Sequence, residues 1–153
     1  MLTQSRLKMN YFEAEFNKVE LLINNGKFEL AFTKLNNIID NNKINEKEIA
    51  EVLNLKGVIV DAYAPYLNEF PDEGGLFYFA KALNYDEKNI GALFNIINSF
   101  NRHDLKKSYI LSQKELFFKA YETLKNVVYS QLDTALKSEV DEFQSTYIYL
   151  KSI

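Results

Sequence analysis

Residues 75–100 read GLFYFAKALNYDEKNIGALFNIINSF, and the spacing of their apolar positions decides the fold class. In the first half Phe77, Ala80, Leu83 and Asn84 share one helical face, which Phe79 and Ala82 widen. That is the broad stripe of a helix packed on more than one side. Tyr85-Asp86-Glu87-Lys88-Asn89 then breaks the period with polar residues. Asn89 is expected to cap the second helix, because its side-chain oxygen can accept from the first unpaired backbone N–H groups. Ala92, Leu93, Ile96, Ile97 and Phe100 resume helical spacing. Two amphipathic helices joined by a short turn predict an antiparallel hairpin.

The same period runs outward from this unit in both directions. Upstream, residues 7–24 place Tyr11, Phe12, Phe16, Val19, Leu22 and Ile23 on one face, and Asn24-Asn25-Gly26 stops the helix with a glycine suited to a left-handed C-terminal position. Residues 27–40 carry Phe28, Ala31, Phe32, Leu35, Ile38 and Ile39. A connector at 41–45 ends in Asn45, which with Glu48 forms a capping pair for a helix bearing Ile49, Val52, Leu53, Lys56, Gly57, Val60 and Ala64. Gly57 in mid-helix costs about 1 kcal/mol against alanine, so its placement needs a structural reason. Residues 65–75, PYLNEFPDEGG, form the main irregular segment. Downstream, Asn101–Asp104 is a turn, 105–111 a short helix, and Ser112 to Glu115 a capping box that opens a helix with Leu116, Phe117, Ala120, Tyr121, Leu124, Val127 and Val128. One last helix is expected from about Leu132 to Leu150 as a cover for the open end of the stack.

Composition narrows the function classes. The chain has 153 residues, the length of one domain with a sizeable core. Only 5 Gly and 2 Pro argue against the many tight turns of an all-β fold, and the absence of Cys excludes disulfides and thiolate metal sites. No apolar run reaches membrane-spanning length and the first residues lack a secretory pattern, so a soluble cytoplasmic protein is expected. Net charge is −3, which disfavours nucleic acid as a partner. The acidic excess lies in residues 1–75, with 8 Lys+Arg against 12 Asp+Glu.

KALNYDEKN followed by ALFNIINSF resembles the junction of two tetratricopeptide (TPR) repeats. Ala82, Leu83, Asp86 and Asn89 match the family pattern; Leu93 stands at its aromatic position, Ile96 at its leucine, Glu87 at its proline and Ile97 at its small residue. Residues 26–40 resemble a TPR turn and second helix through Gly26, Phe28, Ala31, Leu35 and Ile38. Gly57 takes the small-residue place of a first helix, with Lys56 at the leucine position, which implies that a second helix crosses at Gly57. The resemblance covers about residues 12–102, with insertions, and leaves 103–153 as additional helices and a cap. It implies an all-α stack of antiparallel helix hairpins, wound as a right-handed array within one domain, 1–153. It also implies a partner-binding groove lined by the first helix of each pair: Glu13, Phe16 and Glu20, then Glu51, Asn54, Val58 and Asp61, then Phe94, Asn98 and Asn101.

Catalytic chemistry finds little support. The single histidine, His103, has no Cys or second His to complete a site, and reads as a polar turn residue; a hydrolase built on it is the competing reading. The pairs Asp72-Glu73, Asp86-Glu87 and Asp141-Glu142 point about 100° apart on a helix and do not converge. Phe77-Tyr78-Phe79 and Tyr147-Ile148-Tyr149 read as core before they read as stacking platforms. No phosphate-binding or nucleophile motif occurs. The expectation is a protein-binding module without cofactor or metal and with a basic protein partner. The specific expectation is a bacterial immunity protein that neutralises a basic, nuclease-type toxin, with a three-TPR secretion chaperone as the alternative.

Overall fold

The computed structural model describes residues 10–63, 74–100 and 107–153, and every regular element among them is helical. The nine α-helices among the described residues are α1 (Tyr11–Asn24), α2 (Phe28–Asp40), α3 (Glu46–Tyr63), α4 (Leu76–Tyr85), α5 (Ile90–Ser99), α6 (Lys107–Ser112), α7 (Lys114–Thr123), α8 (Thr134–Glu142) and α9 (Gln144–Lys151). A π-helical turn, Leu124–Val128, and a 3-10 turn, Tyr129–Gln131, join α7 to α8. The chain is therefore all-α, as its periodicity predicts. The expected turn at 101–104 with His103, and most of the 65–75 segment, lie outside the described residues.

Local signals set most helix ends. Asn10 caps α1 by accepting from Glu13 N–H at 2.8 Å. Gly26, at φ 74°, closes α1: Lys27 N–H reaches Leu22 O at 2.8 Å and Gly26 N–H reaches Ile23 O at 3.0 Å. This paired C-terminal closure satisfies carbonyls that α1 would leave open. Asn45 and Glu48 cap α3 reciprocally, at 2.9 and 3.0 Å. Asn89 and Asp133 cap α5 and α8.

Packing runs in chain order. α1 packs on α2, α2 on α3, α3 on α4, and α4 on α5. Glu15 bridges the first hairpin to Lys34 at 2.5 Å, and Lys34, then Lys18, hold its carboxyl below the ordinary range. α3 and α4 share the most extensive contact, and glycine is what permits it. A Cβ on Gly57 would lie 2.7 Å from Phe79 Cδ1 and 2.9 Å from the Gly75 carbonyl oxygen. A Cβ on Gly75 would in turn overlap the Gly57 carbonyl. Gly57 is thus a crossing point of α3 and α4. α3 also packs on α5, and α5 on α7. The centre is filled by residues such as Leu35, Ile38, Ile59, Leu93, Ile96, Ile97 and Phe117, all fully buried.

Four expectations are corrected. In α4 the buried positions are Leu76, Tyr78, Phe79, Ala82 and Leu83, while Phe77 is 41% exposed and Asn84 is exposed. The stripe is rotated because Phe79 is drawn against Gly57. Ser112 ends α6, and Gln113 takes the cap position of α7 without a side-chain hydrogen bond, so no capping box forms there. The π-turn adds a residue to the helical period, which turns Val127 outward and keeps Val128 in the core. The last helix is two helices, broken at Phe143, whose buried ring packs edge-on against Phe94 at 6.2 Å.

Candidate protein-binding face

α3 and α5 lie side by side and run parallel, as three successive contacts show. Near their N-termini, Asn89 Nδ2 donates to Glu51 Oε1 at 2.8 Å while Asn89 Oδ1 accepts from Ala92 N–H at 2.9 Å. One buried asparagine therefore both starts α5 and ties it to α3. One turn on, Asn95 Nδ2 donates to Asn54 Oδ1 at 2.9 Å. Gly91 allows this approach, because a Cβ there would lie 2.8 Å from Asn54 Nδ2. Further along, Val58, Asp61 and Ala62 of α3 face Asn95, Asn98 and Ser99 of α5 across an open depression of ≈ 400 Å³ whose wall includes Phe79.

The polar groups of this depression have defined states. Asp61 Oδ1 accepts from Gly75 N–H at 2.6 Å, which anchors the start of α4 to the end of α3. Ser99 Oγ donates to the Asn95 carbonyl at 2.7 Å. The Asn98 side chain is exposed and makes no hydrogen bond to described residues, and the Asn54–Asn95 pair leaves the Asn54 Nδ2 donor group and the Asn95 Oδ1 acceptor in reserve. Val58 is 37% exposed between them. The face offers amides, a carboxylate and a small apolar surface together. That combination suits the main chain and side chains of a peptide. Among the described residues no group of His, Asp and Glu is arranged to hold a metal ion.

Of the residues expected to line a groove, Glu51, Asn54, Val58, Asp61 and Asn98 are brought to this one face. Glu13 and Glu20 are exposed on α1, which packs on α2 and makes no extended contact with α3. Phe16 is half-buried and stacks on Phe12 at 5.0 Å. Phe94 does not face the groove. It is 8% exposed and belongs to the packing of Phe143. Asn101 lies outside the described residues. Glu51 and Asp61 share a face, and both serve as hydrogen-bond acceptors within the fold.

Sequence reasoning missed Asn89's second bond, Asn95, Ser99 and the Phe79 wall. Asn95 was legible: Gly91, Asn95 and Asn98 are the i, i+4, i+7 stripe of α5 that the apolar pairs Leu93-Phe94 and Ile96-Ile97 leave free. Comparison of the chain with protein-family profiles, curated proteins and solved structures returns no match.

Proposed function

We propose that this chain is a non-catalytic protein-binding module of the TPR-like kind and that it holds its partner on the α3–α5 face. The observation that carries this reading is the parallel pair of helices with Asn54, Asn95 and Asn98 beside a depression edged by Val58 and Asp61. Spare amides on rigid helices are pre-organised to meet a peptide main chain, so little conformational freedom is lost on binding. Glu51 and Asp61 on the same face, and Glu13 and Glu20 on α1, favour a basic partner through electrostatic steering. The role that fits a small acidic binder is masking a basic toxin, as a bacterial immunity protein does. No helix among the described residues is long and apolar enough to cross a membrane.

The test is kinetic. A partner recovered with the protein should associate more slowly as salt rises from about 50 to 500 mM, because surface charge is screened over that range. The triple change Glu13→Gln, Glu20→Gln, Glu51→Gln should flatten that dependence. Asp61 is left intact because its carboxylate holds a backbone group, the Gly75 N–H, while Glu51→Gln keeps a side-chain oxygen that can still accept from Asn89 Nδ2. Rates indifferent to salt, or unaltered in the triple variant, reject the acidic surface. Immunity is distinguished from a chaperone role by the partner: a folded basic nuclease domain supports the first, an extended segment of a secreted protein the second.

A further inference from the structure

α4 and α7 both pack on α5 but not extensively on each other, so a furrow of ≈ 380 Å³ runs between them, on residues the α3–α5 face does not use. Its α4 wall is formed by Phe77, Ala80, Lys81 and Asn84, at i, i+3, i+4 and i+7. Phe77, Ala80 and Asn84 belong to the stripe that the sequence predicts to be packed, yet Phe77 remains 41% exposed. From the α7 side come the half-buried Leu116 and the exposed Lys119. A ridge of helical period with an aromatic left in solvent is what a helix presents when a further helix is to lie on it.

Charge says what kind of helix. Among the described residues no carboxylate lines the furrow. Lys81 lies over the Phe77 ring at 5.2 Å, and neither Lys81 nor Lys119 forms an ion pair among the described residues. The carboxylates nearest the two lysines line adjoining hollows rather than the furrow: Glu115 and Glu122 line one that Lys119 shares with Lys151, where Glu122 accepts from the Tyr147 hydroxyl at 2.7 Å and lies 4.0 Å from Lys151, and Asp40 lines another that Lys81 borders. The furrow therefore has an apolar floor flanked by two lysines, one on each wall. We propose that it is a second docking surface, which takes an amphipathic helix of a partner protein whose apolar ridge is flanked by carboxylates.

The probes are a designed helical peptide with leucines at i, i+3 and i+7 flanked by glutamates, and its counterpart with lysine for each glutamate. Fluorescence anisotropy should show the acidic peptide binding the full chain, with the lysine peptide about tenfold weaker or more. Lys81→Glu with Lys119→Glu should invert that order, and Phe77→Ala should weaken the acidic peptide about fivefold or more. The three side chains are exposed, and circular dichroism checks that each variant keeps its helix content. Absent binding, equal binding of both peptides, or acidic-peptide binding indifferent to these variants overturns the proposal. So does concentration-dependent dimerisation that Phe77→Ala abolishes, which would make a second copy the occupant. Neither set of substitutions touches the α3–α5 face, so failure here leaves the proposed function standing.

Discussion

Replacing Gly57 with alanine probes the crossing on which the α3–α4 hairpin depends. At an exposed helical site the change would stabilise by about 1 kcal/mol, because alanine forms helix better than glycine. At this site the new methyl would sit 2.7 Å from Phe79 Cδ1, closer still to Cε1, and 2.9 Å from the Gly75 carbonyl oxygen. Neither neighbour yields easily. Phe79 is 2% exposed, and the Gly75 carbonyl accepts from Tyr78 and Phe79 N–H at 2.9 and 3.0 Å. Overpacking costs about 1–3 kcal/mol, and two pinned neighbours place this case in the upper half. After the helix gain, a net loss of about 1–2 kcal/mol is expected. For a chain of this length that is a fall in Tm of about 3–6 °C. Urea unfolding followed by far-UV circular dichroism gives the value directly. Phe79→Leu should reduce the cost of Gly57→Ala, since it removes the nearer obstacle. A Gly57→Ala protein as stable as the parent, or more so, refutes the close crossing.

Phe94→Ala should act on folding first. Its ring is 8% exposed and packs on Phe143, so truncation should cost about 3–5 kcal/mol in urea unfolding, and a loss under about 1 kcal/mol would return Phe94 to the binding surface. The exposed cluster of Lys125, Tyr129 and Asp141 predicts a pH signature. The bond from Lys125 at 3.0 Å, with the Tyr129 hydroxyl at 3.1 Å, holds the Asp141 carboxyl below its usual 3.8, so its contribution is full above that value and is lost as pH falls through the lower folded value. The same bond raises Lys125 above its usual 10.5, so its contribution is full below that value and is lost as pH rises through the higher folded one. The stability difference between the parent and Asp141→Asn should therefore be small, constant near neutral pH and gone in strong acid; a difference that persists in strong acid contradicts the assignment.

The helices were legible where one residue type had one physical use. Gly26, Asn45, Glu48, Gly57 and Asn89 each sit where a backbone group needs a partner or a neighbour needs room. What stayed hidden was phase. The run Leu76-Phe77-Tyr78-Phe79 is apolar at every position, so no stripe stands out, and the face that turns inward is chosen by the Gly57 notch on another helix. The π-turn at Leu124–Val128 shifts phase again without any glycine or proline to announce it. The candidate face was half legible for the same reason. The α3 residues Glu51, Asn54, Val58 and Asp61 stand at i, i+3, i+7 and i+10 and so share one face of their helix, which the structure turns toward α5. On α5, reading Phe94 in place of Asn95 is an error of one position, or about 100° of rotation. Lys56 shows the limit of pattern matching. A charged residue at an apolar position is kept 9% exposed by holding its ammonium over the Phe32 and Tyr78 rings, at 4.9 and 4.7 Å.

The central claim is that partners are held on the α3–α5 face, and site-specific photo-crosslinking in cells tests it most directly. A photoreactive phenylalanine is placed in turn at Val58 and Asn98, which edge the depression, and at Glu87, an exposed residue of the α4–α5 turn, as the control. The expected result is one protein, basic in charge, captured from both Val58 and Asn98 and not from Glu87. Capture from Glu87 alone, or from all three positions alike, would contradict the assignment of binding to this face.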